Sequence, residues 1–259
     1  MAAPPPSRAG RILVACPPQE QHVIGPLLLT YLLRRRGWEV VYLGANVPIE
    51  RLEIVTAVTE PQLVISAAQQ LHTAATLMEM ARLLQTQGVS LSYGGLVFNQ
   101  VPALRQRIAG RFLGEQIEAA PGIVESLMTV AQPMPEVESI PEQYQRARRH
   151  FQKRQSLIDA HVLQSLSSAG HASHRIALAN RELGTNISAA LAMGDMDHLG
   201  TNIRWATGLL RNLQLPSEVL FEYLDVYYQA AVEQLDDSGQ PITDWLGTLV
   251  GGQMRVEQE

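Results

Sequence analysis

Apolar residues in the first half of the chain form short runs that alternate with longer amphipathic stretches. The runs have the length and composition of buried strands, and they cover Arg11–Ala15, Glu39–Leu43, Gln62–Ser66, Val89–Tyr93 and Arg111–Leu113. The stretches that follow them have helical spacing, and they cover Val23–Arg36, Pro48–Thr59, Thr73–Gln87, Val101–Ala109 and Pro121–Val130. Strands that alternate with helices pair in parallel, so the pattern predicts an α/β doubly wound sheet of five strands covered on both faces.

The second half of the chain shows helical periodicity and no convincing strand. Five helices are predicted, over Tyr144–Ser168, His174–Met193, Asp197–Leu213, Pro216–Leu235 and Ile242–Val250. Asp195 is expected to be the N-cap of the third helix, and Pro216 is expected to open the fourth. The proline-rich stretches have no periodicity. The predicted organisation is a disordered tail over 1–10, an α/β domain over 11–131, a linker over 132–141 and an all-α helix bundle over 142–259.

Composition narrows the classes of function. The chain has 259 residues, of which 46% are hydrophobic and 17% charged, which is typical of a globular protein. The net charge of −5 gives no overall attraction to nucleic acid, and the basic run Arg146–Arg154 is interpreted as the solvated face of a helix. A single cysteine and the absence of long apolar stretches lead us to expect a cytoplasmic protein without membrane contact.

The loop after the first predicted strand carries the most informative residues. It reads CPPQEQHVIG from Cys16 to Gly25, and it contains no glycine-rich phosphate-binding pattern. A histidine that binds a metal usually hands its second ring nitrogen to a carboxylate, and Glu20 and His22 supply both groups. One histidine is too few ligands for zinc, but it suffices as the axial ligand of a metal held in a macrocycle. His22 is therefore the candidate metal ligand, and Cys16 is interpreted as a buried structural thiol.

Small and hydroxyl-bearing residues end the next strands of the predicted sheet. Ser66 ends the third strand, Gly94 and Gly95 follow the fourth, and Gly25 stands where the first helix begins. Ligands of doubly wound sheets bind at the carboxyl ends of the strands. These residues are expected to line a slot that admits an extended polar group close to the backbone.

Three motifs at these strand ends resemble those of cobalamin-binding domains, which carry D-x-H-x-x-G, S-x-L and G-G. This chain has EQHVIG from Glu20, SAA from Ser66 and the pair Gly94–Gly95, so it departs by Glu for Asp and by Ala68 for Leu. Glutamate in the first motif, and the flanking LLRRRGW and YLGANVP segments, are similar to light-sensing domains of the CarH and LitR type. The resemblance implies a flavodoxin-like, Rossmann-like fold, with His22 below cobalt and the nucleotide tail passing Ser66 and Gly94–Gly95.

The resemblance also implies a function. Adenosylcobalamin or another cobalamin is expected as the cofactor of a photoreceptor without enzymatic activity, in which light cleaves the upper cobalt–carbon bond and changes packing or oligomeric state. Signalling would then require a homo-oligomer or a separate partner. A corrinoid carrier protein of a methyltransferase system and a heme-binding sensor are the alternatives. A mutase would need a substrate barrel of roughly 250 residues, for which this chain has no room.

The order of the two predicted domains is similar to that of photocobilins, which pair cobalamin with biliverdin. In that interpretation the helical domain holds a bilin without a covalent link, and His171, His174 and Arg175 are the candidate partners of its propionates. The alternative is that the bundle only caps the cobalamin and mediates oligomerisation. Trp205 and Trp245 are expected in the helical core, and no upper axial ligand can be assigned.

Overall fold

The chain folds into two compact units, residues 1–139 and 140–259. The computed structural model describes residues 5–130, 135–200 and 217–253. The first unit contains a five-stranded sheet in which every neighbouring pair is parallel, and the second is helical. The predicted fold class is therefore confirmed.

The strands lie within one residue of their predicted positions at each end. They are β1 Arg11–Ala15, β2 Glu39–Gly44, β3 Leu63–Ala67, β4 Ser90–Gly94 and β5 Arg111–Phe112. Their order across the sheet is β2-β1-β3-β4-β5, which is the flavodoxin-like order. The chain moves to one side of β1 for β2 and to the other side for β3. The switch point, where ligands of such sheets bind, therefore lies between β1 and β3.

Helices follow all five strands, and one of them differs from its prediction. They are α1 Ile24–Arg35, α2 Ile49–Thr59, α3 Leu71–Thr86, α4 Leu96–Gln100 and α5 Ala120–Thr129. The single helix predicted over Val101–Ala109 is wrong, because α4 ends before it and a 3-10 helix follows over Pro102–Arg107. Pro102 has no backbone N–H and its ring blocks the preceding turn, so an α-helix cannot continue through it.

The central strands of the sheet, β1, β3 and β4, are buried on both faces. On one face, Ile12 and Val14 of β1 pack with Leu29 and Leu33 of α1 and with Val124 of α5. Side chains alternate along a strand, so the residue between them, Leu13, belongs to the opposite face, and it is also fully buried. Burial on both sides explains why the strands appear in the sequence as continuous apolar runs.

The described part of the second unit contains four α-helices. They are α6 Glu142–Ser168, α7 Ser173–Met193, α8 Ser217–Gln234 and α9 Gln240–Gln253. The core face of α6 carries Phe151, Ile158, Val162 and Leu166, which are all buried and recur at helical spacing. The charged residues of the basic run mostly face solvent on the same helix. Trp245 of α9 is buried, as predicted.

The third predicted helix of this unit is described only at its beginning. Asp195 accepts a hydrogen bond from the amide of Asp197 at 2.9 Å and is the N-cap of a 3-10 helix over Met196–Leu199. Residues 201–216, which include Trp205 and Pro216, lie outside the described residues.

Parts of the predicted tail (1–10) and of the predicted linker (132–141) form hydrogen bonds with the α/β domain. The amides of Ser7 and Arg8 donate to the carbonyl of Gly37 at 2.9 and 3.1 Å. The amide of Glu138 donates to the carbonyl of Gln106 at 3.0 Å, and the Arg107 guanidinium donates to the carbonyl of Ser139 at 2.9 Å. Within the described ranges, no helix is long and apolar enough to cross a membrane.

Candidate functional site

The loop between β1 and α1 presents a histidine that is hydrogen-bonded to a buried carboxylate. Nδ1 of His22 lies 2.6 Å from Oε1 of Glu20, and the amide of His22 donates to the same oxygen at 2.9 Å. The His22 side chain is 59% exposed, whereas that of Glu20 is 1% exposed. The carboxylate accepts, so Nδ1 carries the proton, and in the neutral imidazole Nε2 then has its lone pair free to bind a metal. Nε2 makes no hydrogen bond to any residue that the structure describes.

The second oxygen of Glu20 is bound by the loop after β3 and by α3. Oε2 accepts from the amide of Gln69 at 2.8 Å and from the hydroxyl of Thr73 at 2.7 Å. Burial by itself raises the pKa of Glu20, but these bonds and those from His22 outweigh it and leave the pKa below its ordinary value. Glu20 is therefore a buried anion with all its acceptor positions used, which fixes the plane of the carboxylate and hence the orientation of His22.

A cavity of about 240 Å³ lies next to this loop, among the carboxyl ends of β3 and β4, α1 and the segment before α5. Its lining includes Gly25, Ser66, Gly94 and Gly95 together with Gln69. Most of its remaining wall is apolar, from Leu29, Ile65, Leu113, Ile117 and Ala120. The volume is smaller than the roughly 300–1,000 Å³ of sites that enclose a whole drug-sized ligand, so the cavity suits one arm of a larger molecule.

Ser66 and the glycines differ in what they contribute to this cavity. The Ser66 side chain is 2% exposed, and its hydroxyl has no hydrogen-bond partner among the described residues. A side chain on Gly95 would overlap the backbone of Ala68, and its φ of +120° favours glycine, so the fold itself requires Gly95. A Cβ on Gly25 or Gly94 would meet no atom of the described residues within 4 Å, so the described part of the fold does not require glycine at these two positions.

The donor set fits a metal that brings its own ring of ligands. Within the described ranges, no group of three or more His, Cys, Asp or Glu side chains could hold a metal ion. One imidazole, oriented by a buried carboxylate, can supply a single axial bond. Cys16 is buried below the loop, and its burial and the nearby Glu20 raise its pKa to about 11, so it is a neutral thiol at physiological pH.

The candidate residues of the helical unit do not meet in a described cavity. Nε2 of His171 lies 2.8 Å from Oε2 of Glu222 on α8, while His174 is exposed and Arg175 is half-buried. Two cavities of this unit, of about 450 and 520 Å³, are described, and none of the three residues lines either of them. The larger is lined by His161 and four small or polar residues, and the smaller is rich in aspartate.

The sequence analysis missed three residues that the structure places against Glu20. They are Gln69 and Thr73, described above, and Asn46, whose amide donates to the carbonyl of Glu20 at 2.9 Å. Gln69 acts through its backbone, which carries no signal in the sequence. Thr73 and Asn46 lie 53 and 26 positions from Glu20 in the sequence. Only the tertiary structure brings them into contact with it.

Comparisons with known proteins bear on the same part of the chain. Residues 10–124 match the family model described as the B12 binding domain. No curated protein sequence matches the chain. Among solved structures, the chain is similar to a cobalamin-binding protein from Desulfitobacterium hafniense, with 21% identity, a TM-score of 0.41, and coverage of 47% of this chain and 60% of that chain.

Two further similar structures come from Methanosarcina barkeri. The methanol:cobalamin methyltransferase complex MtaBC has 26% identity and a TM-score of 0.43, and the match covers 48% of each chain. The monomethylamine corrinoid protein has 22% identity and a TM-score of 0.40, with coverage of 46% of this chain and 58% of that chain. The match thus spans at most about three fifths of each of these three solved chains. Glu20, His22, Ser66 and the pair Gly94–Gly95 all lie inside residues 10–124, the range that matches the B12 binding domain.

Proposed function

We propose that the chain is a cobalamin-dependent light-sensing protein in which His22 binds cobalt from below. The observation that carries the proposal is the exposed imidazole of His22, which the buried anion Glu20 holds at the switch point of the sheet. When bound, the cofactor supplies a cobalt–carbon bond that light can cleave. The protein's own part is to hold the proton on Nδ1 of His22 and to direct Nε2 outward.

The cavity beside His22 supports a tail-inserted mode of binding. If Nε2 takes the lower axial position, the nucleotide base of the cofactor must leave that position and lie elsewhere. A largely apolar cavity with a buried, unpartnered Ser66 hydroxyl suits an aromatic base that offers a ring nitrogen to one donor. Gly25 and Gly94 leave room for the tail to pass close to the backbone.

Light sensing rests on the motif and its flanks. Glutamate at position 20, the PPQEQHVIG entry and the YLGANVP segment are similar to the light-sensing domains of the CarH and LitR type. The proposed output is a change in the packing or oligomeric state of the helical unit, which needs no catalytic activity of this chain. The signal would then be transmitted within a homo-oligomer or to a separate signalling partner.

Biliverdin is a further proposal for the helical unit. His171, His174 and Arg175 are its candidate propionate partners, and His171 would have to give up its contact with Glu222. The cavity of about 450 Å³ in this unit is rich in aspartates, which repel a dianionic bilin. A bilin would therefore be held away from that cavity.

The test combines absorbance spectra and size-exclusion chromatography of the purified protein, with adenosylcobalamin and biliverdin supplied, in the dark and after green illumination. We expect a cobalamin spectrum that changes with light together with the elution position, and a far-red band if a bilin binds. His22→Ala should remove the histidine-bound spectrum, whereas Gln21→Ala, which truncates the exposed neighbour in the same loop, should not.

Other outcomes identify the alternatives. A bound corrinoid without any light-dependent change in size or shape would replace the light sensor by a corrinoid carrier. An intense Soret band near 400 nm, roughly where heme absorbs, in protein supplied with heme would favour a heme sensor.

A further inference from the structure

Two residues that are not glycine take left-handed backbone conformations where the loops after β1 and β2 meet. They are Gln19, with a φ of 69°, and Asn46, with a φ of 48°. Such conformations cost of order 1–2 kcal/mol for most L-residues and persist where surrounding contacts enforce them. Gln19 directly precedes Glu20, so the enforced conformation lies in the segment that orients His22.

Asn46 supplies the contacts that enforce this conformation. Its side-chain oxygen Oδ1 accepts from the amide of Gln19 at 2.8 Å, and its own amide donates to the carbonyl of Glu20 at 2.9 Å. Asn46, which lies in the loop between β2 and α2, therefore binds the amide of Gln19 and the carbonyl of Glu20, the two groups that flank the peptide bond between these residues. Asparagine is among the few residues that tolerate the left-handed region and also offer an acceptor.

The other contacts of the loop hold different residues. The hydroxyl of Thr76 donates to the carbonyl of Pro18 at 2.8 Å, and the amide of Val47 donates to the carbonyl of Cys16 at 3.1 Å. The amide of Glu20 donates back to Pro17 at 3.1 Å within the loop. Among the described residues, Asn46 is thus the link between the Gln19–Glu20 backbone and the rest of the sheet.

We propose that Asn46 is a positioning residue for the histidine ligand. It holds the Glu20 backbone so that Oε1 stays 2.6 Å from Nδ1 of His22 while Oε2 stays with Gln69 and Thr73. Without Asn46, the Gln19–Glu20 segment relaxes, the two oxygens can no longer serve both sets of donors, and His22 samples other orientations. The proposal rests on the proposed role of His22 as the lower ligand of cobalt.

Three substitutions separate the two contributions of Asn46. Asn46→Asp keeps an acceptor and tolerates the left-handed conformation, Asn46→Gly keeps the conformation but has no acceptor, and Asn46→Ala keeps neither. Glu60→Gly is the matched control, because Glu60 also has a left-handed φ of 45° but lies at the C-terminus of α2. Its amide bonds to Thr56 within its own helix.

Two measurements report the effect of each substitution on His22. In the apoprotein, long-range ¹H–¹⁵N spectra report whether the His22 proton resides on Nδ1. In the protein loaded with cob(II)alamin, the nitrogen splitting of the EPR spectrum reports the fraction in which imidazole binds cobalt. For Asn46→Gly and Asn46→Ala we expect the ratio of histidine-bound to histidine-free cofactor to fall about fivefold, the equivalent of one hydrogen bond, with a mixed tautomer in the apoprotein. Asn46→Asp and Glu60→Gly should resemble the wild type.

The proposal is overturned if Asn46→Gly and Asn46→Ala keep the wild-type tautomer and ligation, or if Asn46→Asp fails as Asn46→Ala does. A wild-type protein that binds cob(II)alamin without imidazole splitting would instead overturn the role of His22. In that case the apoprotein spectra still decide whether Asn46 orders the Glu20–His22 pair.

Discussion

At the scale of single residues, the central feature of the molecule is the Glu20 carboxylate. It lies below the surface, yet it stays ionised because four hydrogen bonds, from His22, Gln69 and Thr73, replace the water that it has lost. Removing one donor costs more than the bond itself contributes, since a charged acceptor is then left unpaired in a buried place. This asymmetry makes the orientation of His22 depend on two separate segments of the chain, the loop after β1 and the residues around the beginning of α3.

Glu20→Gln tests this dependence directly. The amide keeps the shape of the side chain but turns one acceptor into a donor, which then faces a donor of His22, Gln69 or Thr73. We expect the affinity of His22 for cobalt to fall about 10- to 100-fold, as is typical when the partner of a ligating histidine is changed. Optical titration of the apoprotein with aquocobalamin measures the affinity, and Glu53→Gln, the same change on an exposed helix position, should leave it unaltered. An unchanged affinity in Glu20→Gln would mean that the carboxylate does not tune His22.

At the scale of elements, the strands and helices around β1, β3 and β4 create the cavity, and its glycines divide into two kinds. Gly95 is required by the backbone packing of the two loops after β3 and β4. Gly25 and Gly94 have open space around the position of a Cβ, so packing among the residues that the structure describes does not explain them. Their proposed purpose is to leave room for a ligand.

Gly25→Leu and Gly94→Leu should therefore separate folding from binding. We expect the apoprotein of each variant to unfold at a urea concentration close to that of the wild type, while the affinity for cobalamin falls at least about tenfold, because the new side chain occupies the cavity. Gly25→Leu should even gain up to about 1 kcal/mol of helix propensity in α1. Gly122→Leu, at another open and exposed glycine on α5, is the control for the added bulk. Full cobalamin affinity in both cavity variants would show that the tail lies elsewhere.

The packing of α6, α7 and α8 gives the second prediction at this scale. Asp159 of α6 is partly buried there, and its backbone carbonyl accepts from Asn180, which in turn accepts from the Tyr223 hydroxyl at 3.0 Å. Burial raises the pKa of Asp159 from 3.8 to about 6, against a hydrogen bond from Gln155 that lowers it. Below the unfolded value both states are protonated. As the pH rises from 3.8 to about 6, the carboxyl of Asp159 loses its proton in the unfolded state before it does so in the folded state. The free energy of unfolding therefore decreases over this pH range.

Asp159→Asn should abolish this penalty. Because Asp159 is partly exposed and solvent screens its charge, the variant should be more stable than the wild type by on the order of 1–2 kcal/mol near pH 8 and by much less near pH 4. Urea unfolding of the full chain at the two pH values measures the difference, and titration of the other carboxylates cancels between the two proteins. A difference that is the same at both pH values would contradict the raised pKa.

At the scale of the whole molecule, the chain separates into two units with their own buried cores. All the residues of the candidate cobalamin site, from Glu20 to Gly95, belong to the first unit. The proposed output belongs to the second. The proposed binding and the proposed signalling therefore belong to different parts of the chain.

A fragment of residues 1–139 should keep the binding function alone. We expect it to bind adenosylcobalamin within a few-fold of the full chain and to show the same photolysis spectrum, but without a light-dependent change in elution. Equilibrium dialysis and size-exclusion chromatography of the fragment and the full chain make the comparison. A fragment that folds, as judged by circular dichroism, and yet fails to bind would show that the helical unit is part of the site.

The sequence by itself determined the order and the type of the secondary-structure elements and contained the three motifs at the strand ends. Burial on both faces of a parallel sheet imposes continuous apolar runs, and a helix imposes a 3.6-residue period, so both are visible locally. The same local motifs also predicted the match of residues 10–124 to the B12 binding domain. The prediction of an α-helix over Val101–Ala109 was wrong because Pro102 interrupts an otherwise helical pattern.

Only the tertiary structure decided which residues serve those motifs. Gln69 and Thr73 lie 49 and 53 positions from Glu20, and Asn46 lies 27 positions from Gln19, yet each forms a hydrogen bond of 2.7–2.8 Å there. The same holds for the pKa of Asp159 and for the open space at Gly25 and Gly94. Hydrogen bonds, desolvation and free volume depend on which surfaces the fold brings together, and that information is not local in the chain.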